Sequence, residues 1–138
     1  MRLGVLLIVV AIGSACIPVA IGQPEWAANR RPLPPCGVER LSRDGGVDRD
    51  ARRCLLAAWE AGEEAELISA RTTVEGDLVT RYLRVHGNGT IEVFVDATQD
   101  AYGSGQWERH RCEALVPATP GDESDVFTEE GCEPLPVP

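Results

Sequence analysis

Four cysteines, Cys36, Cys54, Cys112 and Cys132, stand downstream of an export-type leader, and they constrain the fold more than any other feature of the chain. In an oxidising compartment such a set forms two disulfides, for which three pairings exist. Cys36–Cys54 with Cys112–Cys132 is the pairing expected, because each bond then ties an end segment onto the element beside it. Each bridge contributes about 2–4 kcal/mol by restricting the unfolded chain. The leader and the Pro-rich stretch behind it leave roughly 80–100 residues for the fold, a size that needs such staples. Zinc is the rival use of the thiols. No C-x-x-C pair occurs and His110 lies two residues from Cys112, so no metal site is expected.

Residues 1–15 read MRLGVLLIVVAIGSA. Arg2 is a minimal positive start, Leu3–Ile12 an apolar run, and Gly13, Ser14 and Ala15 are the small residues a signal peptidase accepts. Ile12-Gly13-Ser14-Ala15-Cys16 resembles a bacterial lipobox, which makes Cys16 the expected lipidation site and membrane attachment through a lipid the expected partner. Two other readings stay open. The 20 uncharged residues Leu3–Gly22 are long enough for an uncleaved transmembrane helix, against which Pro18 and the small residues argue. Cleavage after Ala20-Ile21-Gly22 would discard Cys16 and free the protein. All three place the domain outside the cytoplasm, on the outer face of the membrane or secreted.

Residues 16–35 read as a linker, with Pro18, Pro24, Pro32, Pro34 and Pro35 around Arg30-Arg31. Such spacers are extended, roughly 3.1 Å per residue, long enough to hold a domain well off a bilayer. Trp26 within it suits either a membrane interface or a place on the domain. The formal charge of −9 repels phosphate backbones and excludes nucleic acid as an expected partner.

Periodicity predicts a helix over 49–61, capped by Asp48 and ended by Gly62, with Ala51, Cys54, Leu55, Ala58 and Trp59 on its buried face. Strands are predicted over 65–73, 78–85, 90–96 and 106–115. A three-residue Gly87-Asn88-Gly89 loop pairs His86 with Thr90. It sets Val85 opposite Ile91 and Leu83 opposite Val93 on one face, with Arg84–Glu92 and Tyr82–Phe94 on the other. A two-residue loop would set Val85 against Glu92, and a one-residue slip turns every side chain over. The expected fold is therefore α+β, one helix packed on a four-stranded antiparallel sheet over 36–116 and stapled by two disulfides. An acidic, Pro-rich tail over 117–138 is tied back by Cys132. Its Val126 and Phe127 are expected to cover the aromatic face that holds Tyr82 and Phe94.

The order Thr73-Val74-Glu75-Gly76-Asp77, then Asp96-Ala97-Thr98-Gln99-Asp100-Ala101-Tyr102-Gly103, then Trp107 and Cys112, resembles that of small actinobacterial lipoproteins. It is distantly similar to the DUF4362 domain-of-unknown-function family, with Tyr102 where that family's pattern has Phe. The resemblance spans about 40 residues between Thr72 and Cys112. It implies an exported α+β domain and supplies no catalytic residue.

Other candidate residues have a plainer use. Asp77, Asp96 and Asp100 suit calcium or acid–base work, but without a calcium-loop spacing they are expected to cap loop amides. Ser104, between two glycines, precedes a strand, whereas a nucleophile elbow follows one. His86 and His110 are expected at solvent-facing strand positions, away from any triad. Trp107, Tyr82, Tyr102 and Phe94 read as a satellite core or as a contact face. Asn88-Gly89-Thr90 is a glycosylation sequon that reads as a turn. No catalytic residue and no cofactor is expected. The expectation is a tethered, non-enzymatic binding or envelope-interaction module with an extracytoplasmic protein partner; the alternative is a secreted inhibitor of an extracellular hydrolase using Asp100–Gly105 as its inserting loop.

Overall fold

A computed structural model describes residues 22–41, 46–119 and 126–138. The leader, Cys16 and the acidic run Asp122–Asp125 lie outside the described residues. Chain order is α1 (Glu25–Ala28), β1 (Pro35–Leu41), α2 (Arg49–Ala61), β2 (Ala65–Thr72), β3 (Leu78–Val85), β4 (Ile91–Asp96), β5 (Trp107–Cys112), β6 (Ala114–Pro117), β7 (Phe127–Glu130) and β8 (Glu133–Pro134).

The fold corrects the expectation of one helix on a four-stranded antiparallel sheet. The protein is mostly β: a six-stranded mixed sheet in the order β1-β2-β3-β4-β5-β8, and a separate β6–β7 pair. The four expected strands form the centre of the large sheet. β1 extends it by pairing parallel with β2, with α2 as the crossover between them. Charge hides β1 from a hydrophobic pattern. Its one buried residue is Glu39, which meets Arg52 of α2. Pro35 is tolerated because it opens an edge strand. Gly37 has φ +135°, and an added Cβ there would touch Ala51 of α2, so a glycine lets helix and strand approach.

The α2 ends follow their capping chemistry. Asp48 accepts from the amides of Asp50 and Ala51, and Gly62 closes the helix in the left-handed conformation. The buried face is displaced from the expected one: Arg52 is buried beside Ala51 and Leu55, and Cys54 is exposed. Between β3 and β4 the pairs are Val85–Ile91, Arg84–Glu92, Leu83–Val93 and Tyr82–Phe94. The His86 amide donates to the Thr90 carbonyl at 3.0 Å.

Cys36 is bonded to Cys54 and Cys112 to Cys132. The first joins β1 to α2 and the second joins β5 to the segment after β7. The core lies between α2 and the sheet, among Leu55, Leu67, Leu83, Val85, Ile91, Val93, Leu115 and Phe127. Phe127 therefore sits on the helix side and does not cover Tyr82 and Phe94. The cause is the β4–β5 register, which pairs Cys112 with Ile91 and so points its sulfur, and the tail bonded to it, towards the helix.

Candidate functional site

The other face of the sheet is built in cross-strand rungs. Glu66, Arg84, Glu92 and Arg111 align across β2–β5, and Ile68, Tyr82, Phe94 and Arg109 form the next rung. Opposite charges directly across a strand pair attract, so the first rung favours this register. Residues 24–33, expected as part of a free linker, lie across these rungs. Trp26 meets Phe94 edge-on with ring centres 5.2 Å apart, and Trp107 at 6.1 Å. Tyr82 stacks on Trp107 at 5.9 Å. Ala27 and Leu33 are buried. Arg30 lies over the Tyr82 ring at 4.3 Å and pairs with Glu66 at 3.1 Å.

This covering layer places charge in the interior. Arg84 is buried, pairs with Glu66 at 2.9 Å, and donates to the Arg31 carbonyl, which binds the covering segment to the sheet. Burial pulls the Arg84 guanidinium below its usual range, with Glu66 and Glu92 opposing that pull. Glu92 accepts from Arg109 at 2.6 Å and contacts His86 at 3.0 Å. Burial alone would raise its carboxyl, but Arg109 and His86 outweigh it and hold it below the ordinary range. Burial raises the Tyr82 hydroxyl, against the nearby Arg30 charge.

The carboxylates singled out in the sequence organise loops. Asp77 accepts from the Ala101 amide, Asp96 from Thr98, and Asp100 from Tyr102 and Gly103. Among the described residues no group of three His, Cys, Asp or Glu side chains is placed to hold a metal ion. Ser104 and His110 meet through Glu108, whose carboxyl is held low by hydrogen bonds from Ser104 and then His110. That order puts the acid between serine and imidazole, which is not the serine–base–acid order of a triad, and the Ser104 hydroxyl donates to the Gln106 carbonyl. His86, spent on Glu92, lies at the opposite end of the sheet from Ser104. Asn88 accepts from the Thr90 amide in the hairpin turn. All four cysteines beyond Cys16 are in disulfides.

Sequence reasoning missed the roles of Arg30, Arg52 and Glu66. The available signal was the matched order of charges on successive strands, which the hairpin register already revealed for Arg84 and Glu92. At one end of this face, Gly22, Trp26, Thr98, Gln106, Trp107 and Val137 border an open cleft of about 400 Å³. The geometry offers aromatic surface and loop edges for contact chemistry. Comparison with known proteins finds no matching family model, no similar curated protein and no similar solved structure.

Proposed function

We propose that this chain is an exported lipoprotein, attached to the outer face of the membrane through Cys16, whose domain acts by contact and not by catalysis. The observation that carries the reading is the use of cysteine. Two disulfides consume every cysteine of the described residues, and such bonds persist in oxidising compartments. The remaining cysteine, Cys16, directly follows a small-residue leader. The contact reading is supported by the Ser104–Glu108–His110 order, which departs from that of a serine triad, and by the structural use of Asp77, Asp96 and Asp100.

Labelling growing cells with an alkyne fatty acid tests the attachment. The wild-type chain is expected to take the label and partition into detergent, and Cys16→Ala is expected to lose both while the domain still folds. Detergent partitioning of Cys16→Ala equal to wild type would refute lipid attachment and assign the anchor to an uncleaved helix. Unlabelled wild-type chain beginning after Gly22 would assign free secretion.

A further inference from the structure

We infer that the sheet end formed by the β2–β3 turn and the β4–β5 loop rests on the bilayer, with Val74 and Tyr102 entering the headgroup region. This rests on the lipid-attached reading above and adds an orientation to it.

The first support is tether length. Residues 24–33 are fastened to the sheet by Trp26, Ala27, Arg30 and Leu33, so they cannot act as a spacer. Only five residues separate Cys16 from Gly22. Fully extended, that link spans on the order of 20 Å. Its residues, Ile17-Pro18-Val19-Ala20-Ile21, carry no charge and gain nothing from standing in water.

The second support is where the link joins the domain. Gly22 borders the cleft with Thr98, Gln106 and Trp107, at the sheet end where β4 stops and β5 starts. Large exposed apolar side chains gather at that end: Tyr102 is 82% exposed, Val74 73%, Val137 52% and Leu78 40%. Asp77 joins the two loops through the Ala101 amide, so they form one surface. Tyrosine and tryptophan favour the depth of the headgroups, where an apolar ring and a polar tip are both satisfied. Of the carboxylates at this end, Asp77, Asp96 and Asp100 are occupied by loop amides. Those hydrogen bonds leave the acidic character of this end in place, so the three aspartates and Glu75 favour a zwitterionic over an anionic surface.

The test uses the mature lipidated protein in phosphatidylcholine vesicles with brominated acyl chains. An indole is introduced at the proposed contact, Tyr102→Trp, or at the far end, Asn88→Trp, and the parent protein's emission is subtracted. β3 has eight residues, so the two ends are about 25 Å apart and only one can reach the bromines. The expected result is a blue shift and loss of most added emission for Tyr102→Trp, with no change for Asn88→Trp. Co-sedimentation with equal quenching at both positions, or none at either, overturns the orientation and leaves the attachment standing. Failure of the purified wild-type chain to co-sediment removes the attachment and the orientation with it. Quenching absent in vesicles, with the 97–106 amides protected from exchange in native membranes, would assign the tip to a protein such as a hydrolase and overturn the inference.

Discussion

Replacing Arg52 by Met should cost about 3–5 kcal/mol and weaken the domain's loss of stability in acid. The site explains the size of the effect. Glu39 is 2% exposed, and Arg52 supplies its main partner through Nη2 at 2.7 Å and Nε at 3.1 and 3.2 Å. The Asp48 amide donates to the same carboxylate at 3.2 Å. Burial on its own raises the Glu39 carboxyl, but hydrogen bonds from Arg52 and Ser69, the Arg52 charge and the Asp48 amide together hold it below the ordinary range. In the wild type this residue therefore adds stability above the unfolded carboxyl range, and loses it as pH falls through the lower folded value. Without the guanidinium, burial is opposed by Ser69 and the Asp48 amide, and the folded value rises. The stability that this carboxyl loses in acid is then smaller.

Urea unfolding at several pH values measures both effects. For a domain of this size each kcal/mol moves the melting temperature by about 4–8 °C, so the loss near neutral pH is at least about 12 °C. Glu39→Gln with Arg52→Met should recover part of the loss, because the buried charge is gone. A loss below about 1 kcal/mol, or a pH dependence of the same steepness, would refute the account of Glu39 as a carboxylate held ionised by Arg52.

Trp26→Ala should free residues 22–33 from the sheet while α2 and the helix-side core persist. Limited trypsin digestion would then cut after Arg30 in the variant first, and equal digestion rates would contradict the packing of that segment. Removing the Cys36–Cys54 bond by a double Ala substitution should lower stability by about 3 kcal/mol, since it closes β1 onto α2 across 18 residues. Chemical denaturation in matched oxidising buffer checks this, and no change in midpoint would refute a stabilising role for the bridge through the unfolded chain.

The sequence was most legible where local chemistry and side-chain period agree. Asp48 and Gly62 mark the ends of α2, and the Gly87-Asn88-Gly89 turn gives the β3–β4 register residue by residue. Legibility failed where tertiary contact overrides local pattern. Pro24 and Pro32 imitate a linker because proline also suits a segment lying over a sheet outside its ladder, and Pro34 and Pro35 because proline is tolerated where an edge strand opens. Glu39 keeps β1 out of an apolar strand pattern, since a charged residue is read as solvent-facing until its partner is known. The tail was assigned to the wrong face for a recoverable reason. Extending the register from Ile91 to Cys112 would have pointed the Cys112–Cys132 bond towards the helix, and Phe127 with it.

These failures share a physical cause in the arginines. The chain has 13 basic residues and none is lysine. A guanidinium is planar and weakly hydrated, so it can lie on an aromatic face and still pair with a carboxylate. Arg30 does this with Tyr82 and Glu66, Arg52 with Phe127 and Glu39, and Arg109 with Phe94 and Glu92. Arg84 lies over Phe94 while pairing with Glu66. Aromatics are only 5% of the residues, and a binary pattern of apolar and polar positions misses a layer in which Tyr82 and Phe94 are covered by charges. The layer also fixes geometry, since a rung of alternating charges tolerates no one-residue slip. It thereby holds Trp26 over Trp107 and leaves the N-terminal link to emerge at Gly22, beside the loop that carries Tyr102.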